Sequence, residues 1–234
     1  MKRSVTPLTL GTVLASALIT TALAETGHIF VGATGKNQGD QLIFSNAADF
    51  NGFTKSLTYT NAATYAGYYQ GNITLSPLPT TAANLGPVAN AAADGSFIRA
   101  EIVSVTGPAG DHFGFWEKGA TSPTYSIPTG TFDGHFGFDI SDASIGAGQP
   151  GADPFGHIHG RRFTTDLAGD YSVGFRVIDT SVNGVAGAAI HAPSEVFILN
   201  LNASAVPEPG SLALLATGLV GLGFYCTRRN AKNP

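Results

Sequence analysis

The sequence predicts an all-β protein: a β-sandwich, jelly-roll-like or immunoglobulin-like, between an N-terminal signal-peptide helix and a C-terminal transmembrane helix. Short segments rich in Val, Ile, Phe and Tyr recur along the central region, and Gly, Pro, Asn and Asp separate them. About ten such segments with turn-rich connections are typical of a sandwich. No alternation of strands with helices is evident, and the two strong helical stretches are the terminal ones.

The predicted strands are short, as strands in sandwiches usually are. They cover residues 28–32, 41–45, 56–59, 68–75, 97–106, 113–117, 132–140, 162–165, 171–179 and 196–201, with turns at 35–40, 77–87, 107–110, 123–130 and 143–154. Alternation is clearest in the segment YSVGFRVID, where Tyr171, Val173, Phe175 and Val177 share one face. That face is predicted to lie in the core.

Two segments of the chain are nearly identical. The sequence HFGFW occupies residues 112–116, and HFGFD occupies residues 135–139. A strand sends alternate side chains to opposite faces, so the two phenylalanines of each copy point the same way. The copies are predicted to be two core strands. The single tryptophan, Trp116, is also expected in the core.

The N-terminus is typical of a secretory signal peptide. Lys2 and Arg3 precede an apolar stretch from Leu8 to Leu23, and residues 22–24 read Ala-Leu-Ala. A positive start, an apolar segment and small residues around a cleavage point define such signals. Residues 1–24 are therefore predicted to be removed by signal peptidase, which leaves an exported domain of residues 25–205.

The C-terminal segment, residues 206–234, has three parts. Pro207, Glu208 and Pro209 come first, an apolar run from about Gly210 to Cys226 follows, and Arg228 and Arg229 lie near the end. The run is close to the minimum length of a membrane-spanning helix. Its basic flank is expected to stay in the cytoplasm, with the central domain on the outside.

These three parts, in this order, resemble the PEP-CTERM sorting signal of Gram-negative bacteria. The resemblance implies recognition by an exosortase, cleavage near Pro207-Glu208-Pro209, and anchoring in the membrane during transit. The mature protein is then expected at the cell surface or in the extracellular matrix. A C-terminal tail that is removed during anchoring has parallels in other sorting systems.

Charge separates the ends from the central domain. The ends hold five of the 12 basic residues and one of the 16 acidic residues, so residues 25–205 keep 7 basic and 15 acidic residues and a net charge of −8. An acidic domain attracts cations and repels nucleic acid, which is therefore not an expected partner. The one cysteine, Cys226, lies in the tail and excludes an intrachain disulfide or a multi-cysteine zinc site.

The segment GHIHG contains two of the six histidines, His157 and His159. On a strand, residues two apart leave the same face, so both rings can approach one ion such as zinc. A zinc site needs further ligands, and His28, His112, His135, Asp111 and Asp133 are the candidates. The alternative is that the pair is simply polar surface. Arg161 and Arg162 follow directly, and a cation near the rings would oppose metal binding.

The region around this pair resembles, in patches, the surface-anchored proteins called choice-of-anchor M. The segment from His157 to Asp179 resembles their H-x-H strand region, HFGFW with Gly110 and Asp111 resembles a second strand, and His28 matches the histidine of their opening strand. Some members are encoded beside metal-uptake systems, so the resemblance implies surface metal capture with His28, His157 and His159 as ligands. Two arginines stand where that group has a tryptophan.

Other chemistries find weaker support in the residues. No G-x-S-x-G nucleophile motif occurs. A glycoside hydrolase needs two carboxylates across a cleft, and Asp133, Asp139, Asp142 and Asp153 are available. Residues 139–153 also loosely resemble a calcium loop without EF-hand spacing. The leading hypothesis is a non-enzymatic structural or binding protein of the envelope or matrix, followed by a zinc-type metal-binding protein and then a secreted hydrolase.

Overall fold

The computed structural model of the protein describes residues 28–78, 81–82, 86–87, 89–142, 144–145 and 160–204. The predicted signal peptide, residues 1–24, and the predicted sorting tail, residues 206–234, lie outside the described residues. Within the described ranges, none of the helices has the length and apolar character needed to cross a membrane.

The described part of the chain is almost entirely β-structure. Its strands are β1 (His28–Ala33), β2 (Leu42–Phe44), β3 (Thr54–Thr60), β4 (Tyr68–Gly71), β5 (Thr74–Pro77), β6 (Thr81–Ala82), β7 (Gly86–Pro87), β8 (Ile98–Thr106), β9 (His112–Trp116), β10 (Tyr125–Pro128), β11 (Phe136–Asp139), β12 (Arg162–Thr165), β13 (Gly169–Asp179) and β14 (Phe197–Ala203). Short 3-10 turns occupy Ala47–Phe50, Ala63–Tyr65 and Val185–Gly187. The all-β prediction is confirmed.

One large sheet and one small sheet build the body of the fold. The large sheet has nine strands in the order β10-β9-β12-β4-β3-β14-β13-β8-β11, the small sheet has the order β2-β1-β5, and β6 pairs with β7. Most pairs are antiparallel, whereas β3 with β14 and β1 with β5 are parallel. The two main sheets pack into a sandwich that approaches a barrel.

The large sheet curls until its two ends meet. The Tyr125 hydroxyl on β10 donates a hydrogen bond to the Gly137 carbonyl oxygen on β11, at 2.7 Å. The rings of Phe115 on β9 and Phe138 on β11 stack with 4.3 Å between their centroids. The duplicated segments therefore lie at opposite ends of one sheet, and curling brings them face to face. The prediction that both are core strands is confirmed.

Alternating apolar side chains fill the interior. Tyr171, Val173, Phe175 and Val177 of β13 are all buried, as the sequence pattern predicted. They join residues of both sheets in one continuous cluster. Burying a large apolar side chain stabilises a fold by about 1.5–3 kcal/mol, so this stripe alone gives β13 its orientation.

Trp116 is also buried, on the opposite face of β9 from Phe115. Its Nε1–H donates to Thr164 Oγ1 at 2.8 Å, and the rings of Tyr65 and Tyr68 meet it edge-on. Gly114 is needed beneath this pair, because a Cβ there would lie 2.2 Å from Thr164 Oγ1. Both faces of β9 are therefore covered.

Two predicted element boundaries are wrong. The predicted strand 68–75 is two strands, because the chain leaves the large sheet after Gly71 and enters the small sheet at Thr74. The predicted turn 123–130 contains β10. Pro128 is tolerated there because β10 lies at the edge of the sheet, where one side of the strand needs no ladder hydrogen bonds.

Asp179, at the end of β13, gathers three separate segments. Its Oδ1 accepts hydrogen bonds from the backbone N–H of Phe97 (2.9 Å) and Ser181 (2.8 Å), and its Oδ2 accepts from Ile190 (2.9 Å) and His191 (3.1 Å). Burial alone would raise the pKa of this carboxyl group, but these hydrogen bonds outweigh burial and lower it. Asp179 is thus a structural carboxylate.

Replacing Asp179 with Asn is expected to destabilise the fold at neutral pH by about 2–4 kcal/mol, because the amide cannot accept from all four donors. A lowered pKa means that the stabilisation is present above the unfolded value of 3.8 and is lost as the pH falls through the folded value. Thermal unfolding of wild type and Asp179→Asn should therefore converge at acid pH. Asp49→Asn, at an exposed site, is the matched control, and an equal loss in both variants would contradict the assignment.

Candidate functional site

The structure leaves the predicted site of His28, His157 and His159 untested. His157 and His159 lie outside the described residues. His28 begins β1, is half-buried, and holds its Nδ1 3.0 Å from Ser76 Oγ. Its ring centroid lies 6.0 Å from that of Phe30. The three-histidine zinc site stays a prediction.

His112 and His135, the two other candidate histidine ligands for a metal, have different surroundings. The Nδ1 atom of His135 lies 3.6 Å from Glu101 Oε1 and 3.4 Å from Arg176 Nη2, and its side chain is 70% exposed. The arginine beside it disfavours a second cation. His112 Nδ1 instead lies 3.7 Å from Asp166 Oδ2, and both side chains are half-exposed. Only the second environment suits a metal.

Asp111, His112 and Asp166 form the one group of three potential metal-binding side chains found among the described residues. One ligand atom from each lies within 4.8 Å of the others. Asp111 and His112 were candidates from the sequence, whereas Asp166 was not. We call these three residues the Asp-His-Asp cluster.

Strand pairing brings the Asp-His-Asp cluster together. β9 and β12 are antiparallel, with Phe113 opposite Thr165. One step further along this register, His112 stands opposite Asp166, at the start of β9 and just past the end of β12. Asp111 immediately precedes His112. The cluster therefore occupies one end of the curled sheet, where the loop before β9 meets the turn between β12 and β13.

Two glycines let the loop before β9 pack closely against β13. A Cβ on Gly107 would lie 2.3 Å from the Tyr171 ring, and a Cβ on Gly169 would lie 2.6 Å from Pro108 Cγ. Gly169 also has φ near +152°. Larger residues at these positions would push the loop before β9 away from β13, and with it the Asp111 side chain.

Asp111 is the buried member of the cluster, with 1% of its surface exposed. Its Oδ2 accepts hydrogen bonds from the Tyr171 hydroxyl and from the backbone N–H of Leu167, the latter at 3.2 Å. Its Oδ1 is equally buried and has no hydrogen-bond partner. A buried oxygen without a partner costs about 1–3 kcal/mol, so its retention calls for an explanation.

Burial and the closeness of acidic groups determine the electrostatics of the cluster. Partial burial raises the pKa of Asp166, the neighbouring Asp111 raises it further, and His112 opposes the shift. Burial also raises the pKa of Tyr171, and its hydrogen bond to Asp111 adds to this, so the phenol stays protonated as a donor. This hydroxyl and the Leu167 N–H hold the Asp111 carboxyl group in a fixed orientation.

The aspartates considered for hydrolysis have separate surroundings among the described residues. Asp139 pairs with Arg99 at 3.3 Å, Asp142 accepts a hydrogen bond from the Ser144 N–H at 2.8 Å, and Asp133 has φ of 55° in a turn. Asp153 lies outside the described residues, as does most of the loosely calcium-like segment. The described members therefore have local structural partners.

Arg161 lies between the two ends of the large sheet rather than in open solvent. Its Nε donates to Glu117 Oε1 at 2.6 Å, and its Nη2 donates to the Asp139 carbonyl oxygen at 2.7 Å. The guanidinium carbon also lies 5.1 Å from the centre of the Phe138 ring. This arginine joins β9 to β11 and helps to hold the curled sheet closed.

Comparison with known proteins identifies the export route of this chain. A family model of the PEP-CTERM protein-sorting motif matches residues 205–229. The chain is accordingly an exported protein that is processed by an exosortase-type enzyme and anchored in the membrane in transit. Neither the curated proteins nor the solved structures contain a match to the chain. The resemblance to choice-of-anchor M proteins receives no support from these comparisons and stays a prediction.

Replacing Tyr171 with Phe is expected to lower the free energy of unfolding by about 1.5–3 kcal/mol, because the Asp111 carboxylate loses a buried hydroxyl donor. Thermal unfolding followed by circular dichroism measures the loss. Tyr59→Phe, at a partly exposed position on β3, is the control and should change little. Equal stability of the two variants would show that the Tyr171 hydroxyl does not support Asp111.

Proposed function

We propose that the protein is a surface or extracellular-matrix component whose β-sandwich has a non-catalytic, structural or binding role. The observation that carries this proposal is the sorting motif at residues 205–229, which begins just after β14 ends at Ala203. The folded body is thus attached almost directly to the segment that delivers it, and the motif's exosortase route supports an address outside the cell.

The shape of the described surface supports a contact role. Two hollows of this surface, of about 230 and 390 Å³, are partly open grooves. The larger groove is lined by Phe132, His135, Arg176 and Val196 among others. Phe132 is 68% exposed, and Val196 and Ile198 are also exposed. Apolar side chains beside a cation are suited to contact with a macromolecule.

Metal capture is the second candidate function, and one observation favours it. Asp111, His112 and Asp166 converge on one another, as described above. The zinc-type site first expected from the sequence used His28, His157 and His159 instead. A hydrolase with an aspartate pair has no comparable support among the described residues.

The Pro-Glu-Pro segment is expected to be essential for maturation. In wild-type cells, surface-extracted protein should lack the residues that follow this segment. A triple variant, Pro207→Ala with Glu208→Ala and Pro209→Ala, should retain the tail and stay in the membrane fraction, because the processing enzyme no longer recognises it. Intact-mass spectrometry of both fractions measures the outcome.

The matched control for this experiment changes two polar residues of the same tail, Asn230→Ala with Asn233→Ala, and should mature normally. Wild-type surface material that still contains Arg228 and Arg229 would contradict the proposal.

The non-catalytic role has its own test: purified full-length protein should co-sediment with extracellular matrix polysaccharide without shortening it. Depolymerisation would instead indicate a hydrolase.

A further inference from the structure

The Asp-His-Asp cluster has the features of a cation-binding site that is independent of the histidine pair in the sequence. Two carboxylates and one imidazole place one ligand atom each within 4.8 Å of one another at the start of β9. We propose that Asp111, His112 and Asp166 bind a divalent first-row transition-metal ion, with zinc as the representative ion. This rests on the second candidate function, metal capture, and deepens it by naming the ligands and the class of ion.

The free oxygen of Asp111 is the observation that points to a ligand. Asp111 is almost completely buried, and two donors already occupy its Oδ2, while its Oδ1 has no hydrogen-bond partner. A buried carboxylate oxygen needs a hydrogen-bond donor or a cation, and the described surroundings supply no donor. A cation held jointly with Asp166 and His112 would satisfy this oxygen.

The spacing fits a small ion. Zinc bonds to nitrogen and oxygen are about 2.0–2.2 Å long, so two ligand atoms of a tetrahedral site are roughly 3.3–3.6 Å apart. The His112 Nδ1 and Asp166 Oδ2 atoms are 3.7 Å apart. Both side chains are half-exposed, so side-chain rotation can complete the approach to Asp111. Solvent can supply a fourth ligand from the open side.

The ligand types favour a transition metal over calcium or magnesium. Imidazole suits zinc and its neighbours in the first row, whereas calcium takes six to eight oxygen ligands. The cluster offers two carboxylates and one ring nitrogen. With a neutral imidazole, the two negative charges balance one divalent cation.

The surroundings of the cluster also favour a cation. The hydroxyl of Tyr171 and the N–H of Leu167 hold the Asp111 carboxylate from its buried side, which is how neighbouring groups orient metal ligands. The carboxyl groups of Asp111 and Asp166 lie close together and repel each other when both carry a negative charge. A bound cation would remove this repulsion, and the net charge of −8 over residues 25–205 draws cations towards the domain.

Isothermal titration calorimetry with zinc chloride on the purified full-length chain in detergent tests the proposal. Wild type is expected to show saturable binding, and His112→Ala and Asp166→Asn are each expected to weaken it by more than about 100-fold, since even loss of an outer partner weakens metal affinity about 10–100-fold. These two residues are half-exposed, so both variants should fold, and circular dichroism confirms it. Asp111 is left unchanged because its replacement would disturb the core.

The controls separate this site from every alternative on the chain. The His135→Ala variant removes an exposed histidine just before β11, and the Asp170→Asn variant removes an exposed carboxylate on β13. Both variants should bind zinc as wild type does. The double variant His157→Ala with His159→Ala should also keep the Asp-His-Asp affinity. The proposal would be overturned if wild type showed no saturable zinc binding, or if His112→Ala and Asp166→Asn bound zinc as tightly as wild type. Loss of binding only in the double variant of His157 and His159 would also overturn it. None of these outcomes depends on tail processing.

Discussion

The closure of one nine-stranded sheet onto itself is the constraint on which the other features depend. Its two ends do not share a ladder of backbone hydrogen bonds, so side chains hold them together: stacked Phe115 and Phe138, the Tyr125 hydroxyl, and the Arg161 guanidinium. Aromatic pairs and buried polar contacts of this kind depend on close packing. Within this closed sheet, a backbone ladder fixes β9 beside β12, and the loop that carries Asp111 packs against β13.

Two buried aspartates of this fold show opposite uses of the same side chain. Asp179 has both oxygens occupied by backbone N–H groups from three segments, so it is fully engaged in structure. Asp111 has one oxygen occupied and one without a partner. Burial alone does not distinguish them. The number of donors facing each oxygen does, and that difference is what marks the Asp-His-Asp cluster as a site with capacity for a ligand.

Periodicity predicted much of the fold, because the strands in the core bury one face. The alternation in residues 171–179 matches the buried stripe of β13, and the two HFGF segments are core strands as expected. Periodicity did not show that the chain changes sheets between Gly71 and Thr74, because the apolar residues on either side of this point predict one strand. Pro128 suggested a turn, but it occupies an edge strand. The cluster was only partly predictable, because Asp166 meets His112 through strand pairing and not through sequence spacing.

The point of attachment of the sorting motif has a mechanical consequence. The motif follows β14, and β14 lies inside the large sheet, between β3 and β13. A pull on the tail is therefore transmitted along a strand that is hydrogen-bonded on both sides, over seven residue pairs to β13 and four to β3. Those bonds share the load in shear, whereas a terminal edge strand would peel away one bond at a time. During transit, the membrane-anchoring tail is thus attached to a strand that is supported on both sides.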